Sequence, residues 1–345
     1  MVRSYGASAP HREPSNSYPT NNLSRPVHGS VLVENGTVYF AAGRSSYLDG
    51  GIIVYGLEPK TGKVLCRHVL EGPWPDIHKD EGHHNTMEGA LNDLMVSDGE
   101  NIYLQRVKFD TRLERQRAPQ GRSYGELDMG ANYLSATGGF LDETGFDRIF
   151  WMYSNRWPGF SFAQHSPKAG QLIVFDENTT YAVKYFYRRH NYSPQFIPEE
   201  EGYLLFADDN NNQPEVLDNE KRPGGMLQWL PGEGRRFGGG YVRYKSEKWQ
   251  KLVPLRIRAM VLAGDKLFAA GPPDVIDALD PLSAFEGRMN SELHVYATKD
   301  GKLLKEMSLS SPVAFDGMSA ANGKLYLATR DGKILCYGAA HDSRL

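Results

Sequence analysis

One short phrase recurs along this chain: an alternating apolar run, a tight turn, then a strand of the type Ile/Leu/Val-Tyr/Phe-small. It reads Val31-Leu32-Val33-Glu34-Asn35-Gly36-Thr37-Val38-Tyr39-Phe40-Ala41-Ala42 at its first clear occurrence. It returns at 94–104 around Asp98-Gly99, at 260–270 around Gly264-Asp265, and at 318–328 around Asn322-Gly323; a diverged copy spans 173–183. Asn-Gly and Asp-Gly supply the positive φ angles that a two-residue hairpin turn requires. Strict alternation on either side gives each strand one buried face. The phrase is therefore a β-hairpin, and its repetition is the strongest constraint on the fold.

A second phrase follows the first. It reads Gly51-Ile52-Ile53-Val54-Tyr55-Gly56-Leu57-Glu58-Pro59-Lys60-Thr61-Gly62-Lys63-Val64-Leu65-Cys66, and it recurs at 292–304 and, cut short, at 331–337. The two phrases together describe four antiparallel strands, the unit of one propeller blade. Blade-like units fall at 28–70, 90–125, 131–187, 200–250, 254–308 and 313–338. The expected architecture is an all-β propeller of roughly six to eight four-stranded blades, with about seven as the central number. Residues 28–338 make the propeller, 1–27 an N-terminal extension and 339–345 a tail. Residues 2–9 are candidates for a strand lent to close the ring, since an open sheet edge invites aggregation; the alternative is that further blades belong to a longer chain.

The combined pattern, Asn/Asp-Gly-x-Val/Leu-Tyr followed by Val-Tyr-x-Leu-x-x-x-Thr-Gly-Lys-x-Leu, resembles the pyrroloquinoline-quinone-like (PQQ-like) β-propeller repeat. That family includes quinoprotein alcohol dehydrogenases and an outer-membrane assembly scaffold lipoprotein. The stretch Ala42-Gly43-Arg44-Ser45-Ser46-Tyr47-Leu48-Asp49-Gly50-Gly51 is similar to a subgroup of large bacterial, planctomycete-like propellers. So is Gly139-Phe140-Leu141-Asp142 with Arg148 and Trp151. The resemblance implies an extracytoplasmic location, periplasmic or secreted. It also implies a tryptophan after the Thr-Gly-Lys-x-Leu run that docks neighbouring blades. Cys66 and Lys305 stand at that place here, so the docking girdle reads as degraded. The adjacent cysteines that the family's enzymes often carry against the quinone are missing, because Cys66 and Cys336 lie at opposite ends of the chain. No cofactor is expected.

A net charge of −3 argues against a general nucleic-acid binder or a polybasic membrane binder. The one basic stretch, Arg106 to Arg122, reads as a solvated loop. No run of about 18 apolar residues exists to span a membrane, and Met1-Val2-Arg3-Ser4-Tyr5-Gly6 lacks the apolar stretch of a signal peptide. Two cysteines within apolar runs read as buried free thiols, with a single bridge between first and last blades as the alternative. Asp208-Asp209-Asn210-Asn211-Asn212 opens like a calcium loop, but the sixth and twelfth positions hold Gln213 and Asn219 where Gly and Glu are required, so it reads as a solvated turn. His78, Asp80, Glu81, His83 and His84 are the densest set of potential metal ligands, yet Pro73, Pro75 and Gly82 make the segment a loop without regular ligand spacing, and no metal is expected there. Gly232-Glu233-Gly234 lacks the third glycine of a dinucleotide fingerprint.

The stretch 139–165 carries the most recognition chemistry: Asp142, Arg148, Trp151, Arg156, Trp157 and His165, with Tyr153 and Phe160 among them. Aromatic faces stack on sugars, and Arg and Asp fix hydroxyls, carboxylates or sulfates. Because Phe150-Trp151-Met152-Tyr153 reads as a strand, at least half of these side chains belong to a core. Arg44 and Asp49, on a loop of the first blade, are candidates for the same ligand site. Since one fold hosts many functions, three readings follow. The first is a non-catalytic scaffold that binds a glycan or protein at the propeller face, as part of a larger envelope or secreted protein. The second is a carbohydrate-active enzyme, a polysaccharide lyase or hydrolase working through the Arg/Trp/Tyr/His stretch. The third is a quinone-dependent dehydrogenase.

Overall fold

The computed structural model describes residues 3–4, 25–27, 31–72, 90–105, 107–116, 127–136, 139, 149–157, 168–185, 188–190, 193–195, 199, 202–216, 226–227, 236–237, 241–243 and 246–338. Strands are the only regular elements among them. The chain forms two compact units, one made of Val2–Ala118 and the other of Pro119–Leu345 with Met1.

In the first unit, Val31–Glu34, Thr37–Ala42, Ile52–Leu57 and Val64–Leu70 pair in chain order, each antiparallel to the next. This is blade 1, and Arg3–Ser4 adds a fifth strand beside Val31–Leu32. The Asn35-Gly36 turn takes φ of 48° and 76°, the double left-handed step predicted from the pair. Blade 2 consists of Met95–Ser97, Asn101–Leu104 and Val107–Asp110. Leu32, Ile52, Val54 and Leu70 of blade 1 pack with Met95, Ile102, Leu104 and Phe109 of blade 2 in one buried cluster. Cys66 faces the next blade as expected of a docking residue, although it is no tryptophan. Its thiol reaches the Thr111 carbonyl at 3.9 Å, and the Tyr39 hydroxyl donates to the same oxygen at 2.8 Å.

In the second unit, Leu127–Ala136 and Trp151–Trp157 form a two-stranded hairpin. Blade 3 joins Leu172–Phe175, Thr179–Lys184, Tyr203–Asp209 and Trp249–Val253. Blade 4 joins Ala259–Ala263, Lys266–Gly271, Glu292–Ala297 and Leu303–Ser308, and blade 5 joins Val313–Ala321, Lys324–Thr329 and Ile334–Gly338. Val261, Leu293, Val313, Met318 and Leu327 fill the space between blades 4 and 5.

Five blade sheets stand among the described residues, so the expectation of six to eight is corrected. The units placed at 131–187 and 200–250 share a single sheet, because the 172–184 hairpin is completed by strands at 203–209 and 249–253. Segments 185–202 and 210–248 separate those strands, and they carry short ladders of their own. A blade interrupted in this way loses its sequence period while keeping its pairing.

Three further expectations change. Cys66 is half-buried and Cys336 exposed, and both are free thiols. Cys336 lies on the third strand of blade 5, where Ile334, Cys336 and Gly338 share a face that no fourth strand covers among the described residues. The Asp208–Asn212 turn is solvated only on one side: Asp208, Asn210 and Asn212 are at most 3% exposed, while Asn211 is exposed. Asn210 accepts from the Thr180 hydroxyl (2.7 Å) and donates to the Asp176 carbonyl (2.7 Å), while Lys168 caps the carbonyls of Asp209 and Asn210, both at 3.1 Å. Gln213 then ties this turn to the hairpin through Ser154 (2.6 Å), the Asn155 amide (2.9 Å) and Asn132 (2.7 Å). These buried polar groups are satisfied by one another, which makes the stretch a structural brace.

The docking girdle is also less degraded than the repeats suggest. Trp249, on the outermost strand of blade 3, lies against Gly301 in the Asp300-Gly301 turn of blade 4, and its indole N–H donates to the Thr298 carbonyl at 2.8 Å. Lys251, two residues on, donates to the Gly301 carbonyl at 2.5 Å. Trp249 follows no Thr-Gly-Lys-x-Leu run, so its role is invisible in the repeat pattern.

Candidate functional site

The segment 254–258 carries the chain from blade 3 to blade 4 and buries two arginines, Arg256 at 1% exposure and Arg258 at 4%. A buried guanidinium must be surrounded by groups that replace water. The Arg256 guanidinium carbon lies 4.0 Å from the Phe285 ring centroid, 4.7 Å from that of Tyr185 and 5.7 Å from that of Tyr203. These are cation–π distances, strengthened by the absence of bulk water around the pair. One Arg256 N–H also points at the Tyr203 hydroxyl, 3.4 Å away. Burial pushes the Tyr203 pKa well above the usual phenol range, so the hydroxyl stays protonated. Burial likewise raises the nearby Asp274 carboxyl above the ordinary carboxylate range, although the Glu199 amide donates to it at 3.1 Å.

This cage anchors a long loop, 272–291, between the second and third strands of blade 4. Phe285 enters the cage from the loop, and Gly287, at φ 64°, lies against the Arg258 guanidinium where a side chain would collide. Arg330 of blade 5 clamps the same turn through the carbonyls of Glu286 (3.1 Å) and Gly287 (2.9 Å). Within the loop, Arg288 holds Asp280 and Glu286 together, and Asp277 caps the amides of Leu279 (2.7 Å) and Asp280 (3.1 Å). The loop is therefore pinned at several points. On its outside it displays Val275, Ile276, Leu279 and Leu282, with Leu279 97% exposed. The same segment carries Asp274, Asp277, Asp280 and Glu286 against Arg288 and the clamping Arg330, so acidic groups outnumber basic ones two to one there. Loops with several exposed apolar side chains and few internal contacts are commonly soft, whereas this one is braced.

The residues expected to form a ligand site are described only in part. Arg44 and Asp49 meet each other: the guanidinium donates to Asp49 Oδ2 through Nε at 3.0 Å and Nη2 at 2.5 Å, and Arg25 caps the Asp49 carbonyl at 3.1 Å. The pair braces the 43–51 turn, where Asp49 takes a φ of 55°. Trp151 is wholly buried, so it offers no face to a sugar. Its backbone exchanges hydrogen bonds with Gly170, 2.7 and 2.9 Å long, and Ala136 is its cross-strand neighbour. Arg156 and Trp157 lie on the same strand, opposite Asp128 and Leu127. Asp142, Arg148 and His165 lie outside the described residues, as do His78, Asp80, Glu81, His83 and His84 and, of the basic stretch, Arg106, Arg117 and Arg122. The Arg256 cage and the 272–291 loop were missed because they carry no repeat and no catalytic motif. The available signal was Pro254-Leu255-Arg256-Ile257-Arg258, two charges in an otherwise apolar crossover, followed by apolar residues interleaved with aspartates at 274–282.

Antiparallel meander sheets whose faces pack against those of the next sheet place this chain in the all-β, β-propeller class. No protein-family model matches the chain, and no curated protein matches it either. Among solved structures it is similar to BamB from Moraxella catarrhalis, at 9% identity over 92% of this chain and 72% of that one, with a TM-score of 0.37. It is similar to a chain of the mitotic checkpoint complex at 8% identity, over 89% and 73% of the two chains, with a TM-score of 0.44. The C-terminal WD40 domain of Sif2 matches at 9% identity over 92% and 82%, with a TM-score of 0.39. Likenesses this distant concern sheet arrangement and name no activity. No helix among the described residues is long and apolar enough to cross a membrane.

Proposed function

We propose that this chain is a non-catalytic scaffold of PQQ-like repeat character that binds another protein through the 272–291 loop of blade 4. One observation carries the reading: Val275, Ile276, Leu279 and Leu282 are held out to solvent on a loop pinned by Arg256, Arg258, Arg288 and Arg330. Exposed apolar side chains on a preorganised segment lose little entropy on binding, which is how a small patch gains affinity. The acidic excess there selects a partner segment that places apolar side chains between lysines or arginines. The repeat resemblance adds that the chain works outside the cytoplasm, as one part of a larger envelope or secreted assembly.

The test is chemical cross-linking of the full-length protein in cells that make it, comparing the native chain with Ile276→Asp/Leu279→Asp. Loss of one cross-linked protein, with the melting temperature unchanged, supports the reading. An unchanged cross-linking pattern refutes it, and so does depolymerisation of any glycan by the purified chain.

A further inference from the structure

Glu292, His294 and Tyr296 alternate along the third strand of blade 4, so their side chains share one face. Glu306, on the fourth strand, is the cross-strand neighbour of His294. His294 is 2% exposed, while Glu306 reaches solvent. The His294 Nε2 lies 3.0 Å from Glu292 Oε2 and 3.8 Å from Glu306 Oε2, and one ligand atom from each residue falls within 4.8 Å of the others. The other ring nitrogen, Nδ1, lies 2.9 Å from the Tyr296 hydroxyl.

Two carboxylates thus converge on one buried imidazole, and neither is paired with a lysine or arginine among the described residues. Lys251 of blade 3 lies over the Tyr296 ring at 5.5 Å but donates to the Gly301 carbonyl. The cluster therefore carries an excess of negative charge beside a group that water does not reach. Bonds of about 2.0–2.2 Å in a tetrahedral site set ligand atoms roughly 3.3–3.6 Å apart, and the two observed separations bracket that range. Tyr296 completes the arrangement. When Nδ1 carries the proton and donates to the Tyr296 oxygen, Nε2 turns its lone pair toward the carboxylates, as an orienting partner does for a ligating histidine.

We propose that Glu292, His294 and Glu306 bind a divalent cation of the zinc class, tying the third strand of blade 4 to the fourth directly after the 272–291 loop. One nitrogen and two carboxylate oxygens suit a borderline metal. The exposed side of Glu306 leaves room for water as a further ligand.

The experiment uses the full chain with His78, His83 and His84 replaced by alanine, so that the histidine-rich segment contributes nothing. Zn²⁺ is titrated by calorimetry, and Co²⁺ by the visible absorption of a tetrahedral complex. One equivalent is expected to bind and to raise the melting temperature. Glu306→Gln, a change at the solvent side that leaves the fold intact, is expected to weaken binding at least ~10-fold, and His294→Ala to weaken it further. Absence of binding, or equal binding by the parent and Glu306→Gln, overturns the proposal and leaves an imidazole ion-paired with carboxylates.

Discussion

Replacing Gly301 by alanine imposes two separable penalties, and a second glycine isolates one of them. Gly301 sits at φ 67°, where an L-residue loses about 1–2 kcal/mol. A Cβ at this position would also lie 2.6 Å from Trp249 Cε3 and 2.9 Å from two more ring carbons, well inside ordinary van der Waals contact. The ring is 8% exposed and tethered by its 2.8 Å bond to Thr298, so it cannot swing away without giving up the blade contact. Overpacking of this kind adds about 1–3 kcal/mol. Gly323 has nearly the same φ, 70°, with nothing within 4 Å of its Cβ position. Gly323→Ala therefore measures the backbone penalty alone, about 1–2 kcal/mol. Gly301→Ala should exceed it by about 1–3 kcal/mol. In a Trp249→Ala background, Gly301→Ala should fall back to the value for Gly323→Ala, a coupling between contacting residues. Urea denaturation followed by far-ultraviolet circular dichroism reads the native chain and all four variants without relying on the tryptophan signal. Equal losses for Gly301→Ala and Gly323→Ala would refute the docking argument.

Tyr39→Phe deletes the hydroxyl that joins blade 1 to the Thr111 carbonyl of blade 2, and should lower the stability of that unit by about 1 kcal/mol in the same denaturation assay. Cys336 is exposed, whereas burial, with a smaller contribution from Asp110, raises the Cys66 thiol pKa, so a thiol reagent at pH 8 should modify Cys336 fast and Cys66 slowly; Cys336→Ser should leave only the slow phase. Asp331 is bound by Lys333 at 2.6 Å, Thr329 at 2.5 Å and Ser311 at 3.1 Å, which holds its carboxyl at about 2 against an ordinary 3.8. A depressed folded-state pKa stabilises above the unfolded value and ceases to do so as pH falls through the folded one. The melting temperatures of the native chain and Asp331→Asn should therefore differ at pH 5 and converge between about pH 4 and pH 2. A gap that persists at pH 2 would contradict the assignment.

Much of the strand content was legible residue by residue. Asn35-Gly36 and Asn322-Gly323 form the turns their chemistry demands, and the alternation of Val31 to Ala42 and of Met318 to Ala328 puts Leu32, Tyr39, Met318 and Leu327 inside. The blade boundaries were legible only where turns stayed short. Between 185 and 248 the insertions break the period, so one sheet read as parts of two. Residue type likewise left the direction of the recognition side chains open. Trp151, Arg44 and Asp49 have the residue types of a ligand site, but type does not record direction. Trp151 is wholly buried, and the Arg44 guanidinium is bound to Asp49.

By itself, then, the sequence determined the hairpins, the antiparallel meanders and the all-β class, because turn chemistry and alternation act over a few neighbouring residues. Only the tertiary structure decided which strands share a sheet, and which polar groups are buried. It set Trp249 against Gly301, Arg256 among Tyr185, Tyr203 and Phe285, and Glu306 beside His294. These meetings join different blades, or strands brought side by side within one. Their partners are chosen by packing and desolvation across the fold, which no local pattern encodes.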